Sequence, residues 1–210
     1  ELPKTELKSL ISKVVDQKDL TLEESMKAMN IIMSGRATDA QISSFLTALR
    51  IKGETIEEIT GLAKVMREKA NTIEGCKDAI DIVGTGGDGK NTFNISTCAC
   101  LIVAGAGYHV AKHGNYGATS ISGASNVMEQ HGVKFTNDPS ILTRSMEECG
   151  MVYMHAQLFN PAMKSVGPVR KALQVRTIFN LLGPLVNPCL PSYQLLGCLL
   201  YTSPSPRDCS

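Results

Sequence analysis

Short β-rich runs alternate with helical segments between residues 71 and 155, and this alternation limits the fold more than any other feature. The predicted elements, in chain order, are a strand at 79–83, a helix at 96–106, a strand at 108–112, a helix at 122–131, a strand at 133–135, a helix at 139–149 and a strand at 151–155. Strands that alternate with helices form a parallel sheet covered by those helices. Ligands of such sheets bind at the carboxyl ends of the strands, so we expect a site at residues 84–92 and 112–120.

The first seventy residues instead predict a small helical domain. Capping boxes mark the starts of three helices, at Thr21–Glu24, Thr38–Gln41 and Thr55–Glu58. Apolar residues recur behind each box at helical spacing, which is typical of amphipathic helices. Gly35 and Gly53 follow two of these helices, at positions where a residue in the left-handed conformation ends a helix. The sequence therefore predicts a helical domain at 1–70 and an α/β domain at 71–200.

The last ten residues, 201–210, do not continue the α/β pattern. A strand is predicted from Leu195, but the Ser- and Pro-rich residues after Leu200 cannot continue a buried parallel strand. We therefore expect the authentic sequence to end near Leu200, the tail to be foreign or frame-shifted, and the C-terminal part of the α/β domain to be missing. Apolar side chains are then expected to be poorly buried, namely Ile178, Leu181, Leu182 and Leu185.

Composition and charge exclude several classes of function. Lys and Arg total 21 against 20 for Asp and Glu, so no overall positive field attracts nucleic acid or an anionic membrane. The longest nearly apolar run, residues 98–107, is about half of the roughly 20 residues that span a bilayer. Seven cysteines without a Cys-x-x-Cys pair favour reduced thiols. We expect a cytoplasmic protein that has neither nucleic acid nor a membrane as a partner and binds any anion locally.

A glycine-rich loop follows the first predicted strand. Residues 84–89 spell Gly-x-Gly-x-x-Gly, but no acidic residue between Asp88 and Glu129 can hold the ribose of a dinucleotide. With Lys90 the loop matches most of a P-loop, yet Asn91 stands where Ser or Thr would bind the metal. Neither motif is complete. The glycine loop still precedes a helix N-terminus, and this arrangement favours phosphate binding. A purely structural tight turn is the alternative.

The loop after the second predicted strand, residues 112–120, carries a cation, an imidazole, an amide and hydroxyl groups. These groups suit a phosphate and a polar aromatic acid. Lys90 and Lys112 are the only Lys or Arg residues between Asp88 and Glu129, so this surface should attract anions. A solvated loop without a ligand is the alternative.

Several stretches of the sequence together resemble the anthranilate phosphoribosyltransferases. They are Gly84–Asp88 with Thr92–Thr97, Lys112–Asn115, Val169–Lys171 and Arg176–Pro188, in the order found in that family. The resemblance implies a helical domain joined to an α/β domain of the nucleoside phosphorylase and class IV phosphoribosyltransferase type, and a homodimer formed through the helices. It also implies transfer of phosphoribose from 5-phosphoribosyl diphosphate to the amine of anthranilate, in tryptophan biosynthesis. The attack would be inverting and would need no covalent nucleophile, so no catalytic residue is assigned.

The resemblance also assigns residues to the substrates. Anthranilate would meet Gly84, Asn115 and Arg170, whose guanidinium is a good partner for a carboxylate. The Ser96 hydroxyl would bind the cofactor Mg²⁺, and the family's acidic magnesium ligands would follow Leu200, so we expect this chain itself to be inactive. The residues implied for the diphosphate donor are Gly84, Gly87, Asp88, Thr92, Asn94, Ile95, Ser96, Thr97, Lys112, His113, Gly114, Asn115, Tyr116, Gly117, Ala118, Thr119, Ser120 and Ala124.

The sequence departs from the family pattern at certain positions. Tyr116 stands where many relatives carry Arg, Ala124 replaces a common Ser, and Asn160 stands where His is usual. These differences concern the details of substrate contacts. Two alternatives stay open: a pyrimidine nucleoside phosphorylase-like enzyme, and a non-enzymatic nucleic-acid-binding relative of the same fold, which the net charge of +1 disfavours.

Overall fold

The computed structural model describes residues 6–85, 92–117 and 122–197. These residues divide into two compact units. The helical unit contains residues 6–71 and 160–186, and the sheet unit contains residues 72–159 and 187–197. Residues 201–210, the predicted foreign tail, lie outside the described part of the chain.

The helices and strands follow one another along the chain with short connections. The helices are α1 (Glu6–Val15), α2 (Leu22–Met33), α3 (Asp39–Lys52), α4 (Ile56–Lys69), α5 (Ile95–Gly105), α6 (Ala124–Gln130), α7 (Pro139–Cys149), α8 (Ala156–Phe159), α9 (Gly167–Leu173) and α10 (Ile178–Leu182), with 3-10 turns at Pro161–Ser165 and Gly183–Leu185. The strands are β1 (Ile80–Gly84), β2 (Val110–Gly114), β3 (Met151–His155) and β4 (Tyr193–Gly197). Within the described ranges, no helix combines the length and the hydropathy needed to cross a bilayer.

The predicted capping boxes begin α2, α3 and α4. At α4, Thr55 Oγ1 accepts a hydrogen bond from the backbone N–H of Glu58 (3.2 Å), and the Glu58 carboxylate accepts one from the N–H of Thr55 (2.8 Å). Such reciprocal bonds satisfy N–H groups that lack a partner within the helix. Gly35 and Gly53 have positive φ angles of 70° and 83° after α2 and α3. The predicted starts and ends of these helices are confirmed.

The core of the helical unit takes side chains from both of its chain segments. Residues 160–186 contribute Val166, Val169, Ile178, Phe179, Leu182 and Val186 to the same cluster as the four N-terminal helices. By its packing this segment belongs to the helical unit. The expected exposure of Ile178 and Leu182 is wrong, because both are 0% exposed in this core. Leu181 is partly buried against the core, and Leu185 is 38% exposed.

The sheet unit contains a parallel sheet in the order β3-β2-β1-β4. The predicted parallel α/β architecture is thus confirmed. The predicted strand at 133–135 is wrong: this segment forms no strand, and β3 occupies the place beside β2. Val133 and Phe135 instead pack, partly buried, against a core that contains Val110 and Met151. Apolar character alone therefore did not distinguish a strand from a packed connection.

Candidate anion-binding site

The carboxyl ends of the parallel strands form one edge of the sheet. Register pairs Gly84 at the end of β1 with Gly197 of β4, and Gly114 at the end of β2 with His155 of β3. Both loops singled out in the sequence leave the sheet at this edge. Three of the four end positions are glycine, so backbone can approach a ligand closely there. The expected location of the site follows from this topology.

Helix α5 begins beside this edge. Asn94 is its N-cap residue, but no side chain of the described residues caps the helix. The first turn contains no acidic residue, and Thr97 Oγ1 is buried without a hydrogen-bond partner among the described atoms. The N–H of Ile95 donates to the carbonyl oxygen of Phe93 (2.8 Å), whereas the N–H groups of Ser96 and Thr97 have no acceptor within the helix. Such N–H groups and a buried hydroxyl at a helix N-terminus suit an anion.

The loop after β2 folds back onto the start of α6. Asn126 Oδ1 accepts hydrogen bonds from the backbone N–H groups of Gly117 (3.2 Å) and Gly123 (2.8 Å). The N–H of Ser125 donates to the carbonyl oxygen of Asn115 (3.1 Å). The two ends of this loop are therefore fixed to one helical turn, and Ala124 is the first residue of that helix.

A hydrogen bond joins the N-cap of α5 to the residues that precede α6. Asn94 Nδ2 donates to Ser122 Oγ over 3.4 Å. This contact places the N-terminus of α5 beside the loop that follows β2. Polar side chains at the starts of α5 and α6 therefore lie close together at the edge of the sheet.

Lys112 occupies a different place from the one the sequence predicts. Strand β2 continues to Gly114, so Lys112 and His113 lie within the strand and are buried. The Lys112 side chain is 1% exposed, and its ammonium donates to the carbonyl oxygen of Ile82 (2.9 Å). In this structure Lys112 therefore does not present a surface cation in the loop.

An aromatic cluster lies beside the second loop, and no sequence pattern predicted it. The His155 ring stacks on Phe135 at 4.7 Å and meets the Tyr116 ring edge-on at 4.9 Å. Ser125 Oγ lies 2.8 Å from His155 Nδ1 and 2.7 Å from the Tyr153 hydroxyl. Burial lowers the pKa of His155 and raises the pKa of Tyr153 to about 12, so both side chains are neutral near pH 7. The position of His155 at the end of a predicted strand is the one sequence feature that could have indicated this cluster.

The described residues do not make up a magnesium site on their own. They contain no group of three or more His, Cys, Asp or Glu side chains that could hold a metal ion. Ser96 is half-buried in the first turn of α5 and offers one neutral oxygen. Mg²⁺ requires near-octahedral oxygen ligation, usually with carboxylates and substrate phosphates. A single hydroxyl does not meet this requirement.

The remaining predicted site residues fall into separate groups. Gly87, Asp88, Ala118, Thr119 and Ser120 lie outside the described residues. Arg170 and Asn160 belong to the helical unit. The Arg170 guanidinium lies 5.4 Å from the centre of the Phe179 ring, and its burial lowers its pKa. Thr92 is an exposed residue shortly before α5. The residues that the structure brings to the edge of the sheet are Gly84, Asn94, Ile95, Ser96, Thr97, Gly114, Asn115, Tyr116, Gly117 and Ala124.

The chain combines a helical unit with a parallel-sheet unit. In the sheet unit, the N-terminus of α5 lies at the carboxyl ends of the strands. These features define a class of two-domain α/β proteins. Residues 8–70 match the helical bundle domain of the glycosyl transferase family, and residues 76–203 match the a/b domain of that family. The chain therefore belongs to the glycosyl transferase family.

The chain is also similar to individual anthranilate phosphoribosyltransferases. It is 67% identical to the protein of that name from Phocaeicola vulgatus and 55% identical to the one from Bacteroides fragilis, in each case over 91% of this chain and 58% of the relative. The Thermus thermophilus structure matches with a TM-score of 0.80 at 39% identity, over 94% of this chain and 59% of that one. A Saccharomyces cerevisiae structure in complex with PRPP and Mg matches with a TM-score of 0.80 at 31% identity, over 91% of this chain and 58% of that one. The resemblance predicted from sequence is confirmed, and the chain spans a little over half the length of these relatives.

Proposed function

We propose that the chain is the donor-binding part of an anthranilate phosphoribosyltransferase. The enzyme transfers phosphoribose from 5-phosphoribosyl diphosphate to the amine of anthranilate, giving N-(5-phosphoribosyl)anthranilate and diphosphate in tryptophan biosynthesis. The hydrogen bond between Asn94 and Ser122 is the observation that carries the proposal, because it joins the N-cap of α5 to the residues just before α6 at the edge of the sheet. The names of the similar proteins supply the substrate class.

The described residues contribute binding and orientation to this reaction. The N–H groups of Ser96 and Thr97 in the first turn of α5 and the Thr97 hydroxyl donate to the oxygens of the diphosphate. Asn94 and Asn115 orient the donor from two sides so that its anomeric carbon faces the amine. Holding both substrates in this geometry lowers the barrier without a covalent nucleophile. Donors already in place for the departing diphosphate stabilise its developing charge.

Magnesium enters the proposal only together with the donor. The yeast relative is described with PRPP and Mg bound together, which supports joint binding of the two. We propose that the Ser96 hydroxyl contributes one ligand to such an ion. Because the described residues alone do not form a site, the chain should bind little Mg²⁺ in the absence of the donor.

Arg170 is the proposed partner of the anthranilate carboxylate, with Gly84 and Asn115 as further contacts. Its guanidinium packs on Phe179 and has no acidic partner among the described residues. A partly desolvated guanidinium binds a carboxylate more strongly than one in water. This assignment rests on the resemblance and on the Arg170 guanidinium having no acidic partner among the described residues.

We also propose that the protein is a cytoplasmic homodimer that pairs through its helical unit. Large apolar side chains of that unit are exposed in the single chain: Val15 is 58% exposed, Ile51 71% and Ile56 80%. Pairing of two helical units could bury such side chains, and removal of apolar surface from water favours association. The five described cysteines are all free, which agrees with a reducing compartment.

A titration with matched charge variants tests donor binding. Phosphoribosyl diphosphate with Mg²⁺ is titrated calorimetrically into the chain, into Asn94→Asp and into Asn137→Asp. Asn94→Asp places a negative charge beside the proposed diphosphate site and should weaken binding at least about tenfold, since like charges in a partly buried site repel strongly. Asn137 is an exposed residue of the same unit, so its variant controls for added charge. A chain that binds no donor, or equal losses in both variants, would contradict the proposal.

A further inference from the structure

Two cysteines, Cys76 and Cys189, lie together in the core of the sheet unit. Both belong to the apolar cluster that also contains Val152 and Met154, and they are 6% and 4% exposed. A hydrogen bond joins the two thiols, and Cys189 Sγ lies 3.2 Å from Met154 Sδ. The two cysteine side chains therefore contact each other although more than a hundred positions separate them in the sequence.

Backbone hydrogen bonds hold the two cysteine segments side by side. The N–H of Ile73 donates to the carbonyl oxygen of Pro188 (3.3 Å), and the N–H of Ser192 donates to the carbonyl oxygen of Lys77 (3.0 Å). In both segments one of these bonds precedes the cysteine and the other follows it. The backbone therefore keeps the two thiols adjacent.

The surroundings of this thiol pair favour a disulfide bond over a metal ion. A metal ion held by two thiolates would place further charge in an apolar core, beside the buried carboxylate of Asp81, which acts on Cys189. A disulfide bond is uncharged and suits such a core. The hydrogen bond from Cys189 lowers the pKa of the Cys76 thiol, so Cys76 is the better source of an attacking thiolate.

The thiol pair precedes two strands that pair with each other. Cys76 stands four residues before Ile80 of β1, and Cys189 stands four residues before Tyr193 of β4. Ile80 and Tyr193 are partners in the parallel register. Strand β4 is at the edge of the described sheet, and all five of its residues are exposed. A covalent bond between the cysteines would therefore fasten this edge strand to β1 at the end where the chain enters it.

We propose that Cys76 and Cys189 form a redox-sensitive pair, which a small-molecule disulfide oxidises to an intramolecular disulfide that fastens β4 to the sheet. The Cys76 thiolate attacks one sulfur of the small disulfide, forms a mixed disulfide and releases one thiolate. The Cys189 thiolate then attacks the Cys76 sulfur and releases the second thiolate. The two cysteine protons pass to the released thiolates, so two thiols are oxidised and one disulfide is reduced. This proposal does not depend on the proposed function.

Non-reducing peptide mapping of the 210-residue chain tests whether the bond forms. The reduced, folded chain is incubated with glutathione disulfide, its remaining thiols are alkylated under denaturing conditions, and the chain is digested. A linked pair of peptides containing Cys76 and Cys189 is expected, whereas the exposed Cys98 should carry glutathione. The proposal is overturned if Cys76 and Cys189 are recovered alkylated, joined only to glutathione, or joined to other cysteines.

Thermal denaturation and amide hydrogen exchange measure the effect on β4. Oxidation should raise the melting temperature by at least about 4 °C and slow exchange of the β4 amides roughly tenfold, since a disulfide that closes a long loop stabilises the folded chain. Both effects should be absent in Cys76→Ala and in Cys189→Ala, and should persist in the matched control Cys98→Ala. Two variants of the pair are used so that one remains informative if the other does not fold. Unchanged β4 exchange on oxidation, or equal effects in all three variants, would show that the pair does not fasten the strand.

Discussion

At the scale of single residues, the buried imidazole of His155 makes stability depend on pH. Burial lowers its pKa below the ordinary value of 6.5, so the unfolded chain binds more protons than the folded chain just below pH 6.5. The free energy of unfolding therefore decreases as the pH falls from 6.5 toward the lowered pKa. Above pH 6.5 both states are neutral at this position, and the contribution of His155 is fully present.

His155→Phe should remove this dependence while keeping a ring against Phe135. We expect the melting temperature of the parent chain to fall more steeply between about pH 7 and pH 5 than that of the variant. Thermal denaturation at constant ionic strength measures the difference. His131→Gln is the control, because His131 is exposed. Parallel pH profiles for the parent chain and His155→Phe would show that His155 does not cause the effect.

At the scale of elements, the packing of α2 on α4 depends on Gly61. A Cβ atom at position 61 would lie 2.7 Å from the carbonyl oxygen of Leu22 and 2.8 Å from Ser25 Cβ. Gly61→Ala should therefore destabilise the chain by about 1–2 kcal/mol. Overpacking destabilises by about 1–3 kcal/mol, and the better helix propensity of Ala offsets up to about 1 kcal/mol of this. Urea denaturation measures the change.

Gly105→Ala provides the matched comparison for the helix-propensity part. Gly105 also lies in a helix, α5, but a Cβ atom there would meet nothing within 4 Å. This substitution should leave stability unchanged or raise it by up to about 1 kcal/mol. If both substitutions changed stability in the same direction, close packing at Gly61 would not be the cause of the first effect.

The elements also show what local sequence can predict. Capping boxes and apolar spacing act within a few residues, so the starts of α2, α3 and α4 were predictable. The surroundings of Lys112 were not predictable, because β2 extends two residues further than predicted. Lys112 therefore lies within the strand, and its ammonium donates to the carbonyl oxygen of Ile82. The cluster around His155 combines a loop, a helix and a strand from distant positions, and no local pattern connects them.

At the scale of the whole molecule, the chain leaves the helical unit at residue 71 and returns to it at residue 160. The sequence predicted a boundary near residue 70 but not the packing of residues 160–186 in the helical core. Helices α9 and α10 have seven and five residues, which is too short for a periodic apolar pattern to reveal a buried face. The contacts that bury them join residues more than a hundred positions apart, because α9 packs against α3 and α10 packs against α3 and α4.

This discontinuous core predicts where a substitution at Ile178 will act. Ile178 is 0% exposed, and α10 packs against α3 and α4. Ile178→Ala should lower the free energy of unfolding by about 2–5 kcal/mol, as is typical when a buried Ile is truncated. Hydrogen exchange should show the loss of protection in α3 and α4 rather than in β1 and β2, because Ile178 contributes to the helical core only. Leu185→Ala is the matched control and should cost less than about 1 kcal/mol, since Leu185 is 38% exposed. Loss of protection confined to the sheet strands would instead assign residues 160–186 to the sheet unit, as the sequence alone predicts.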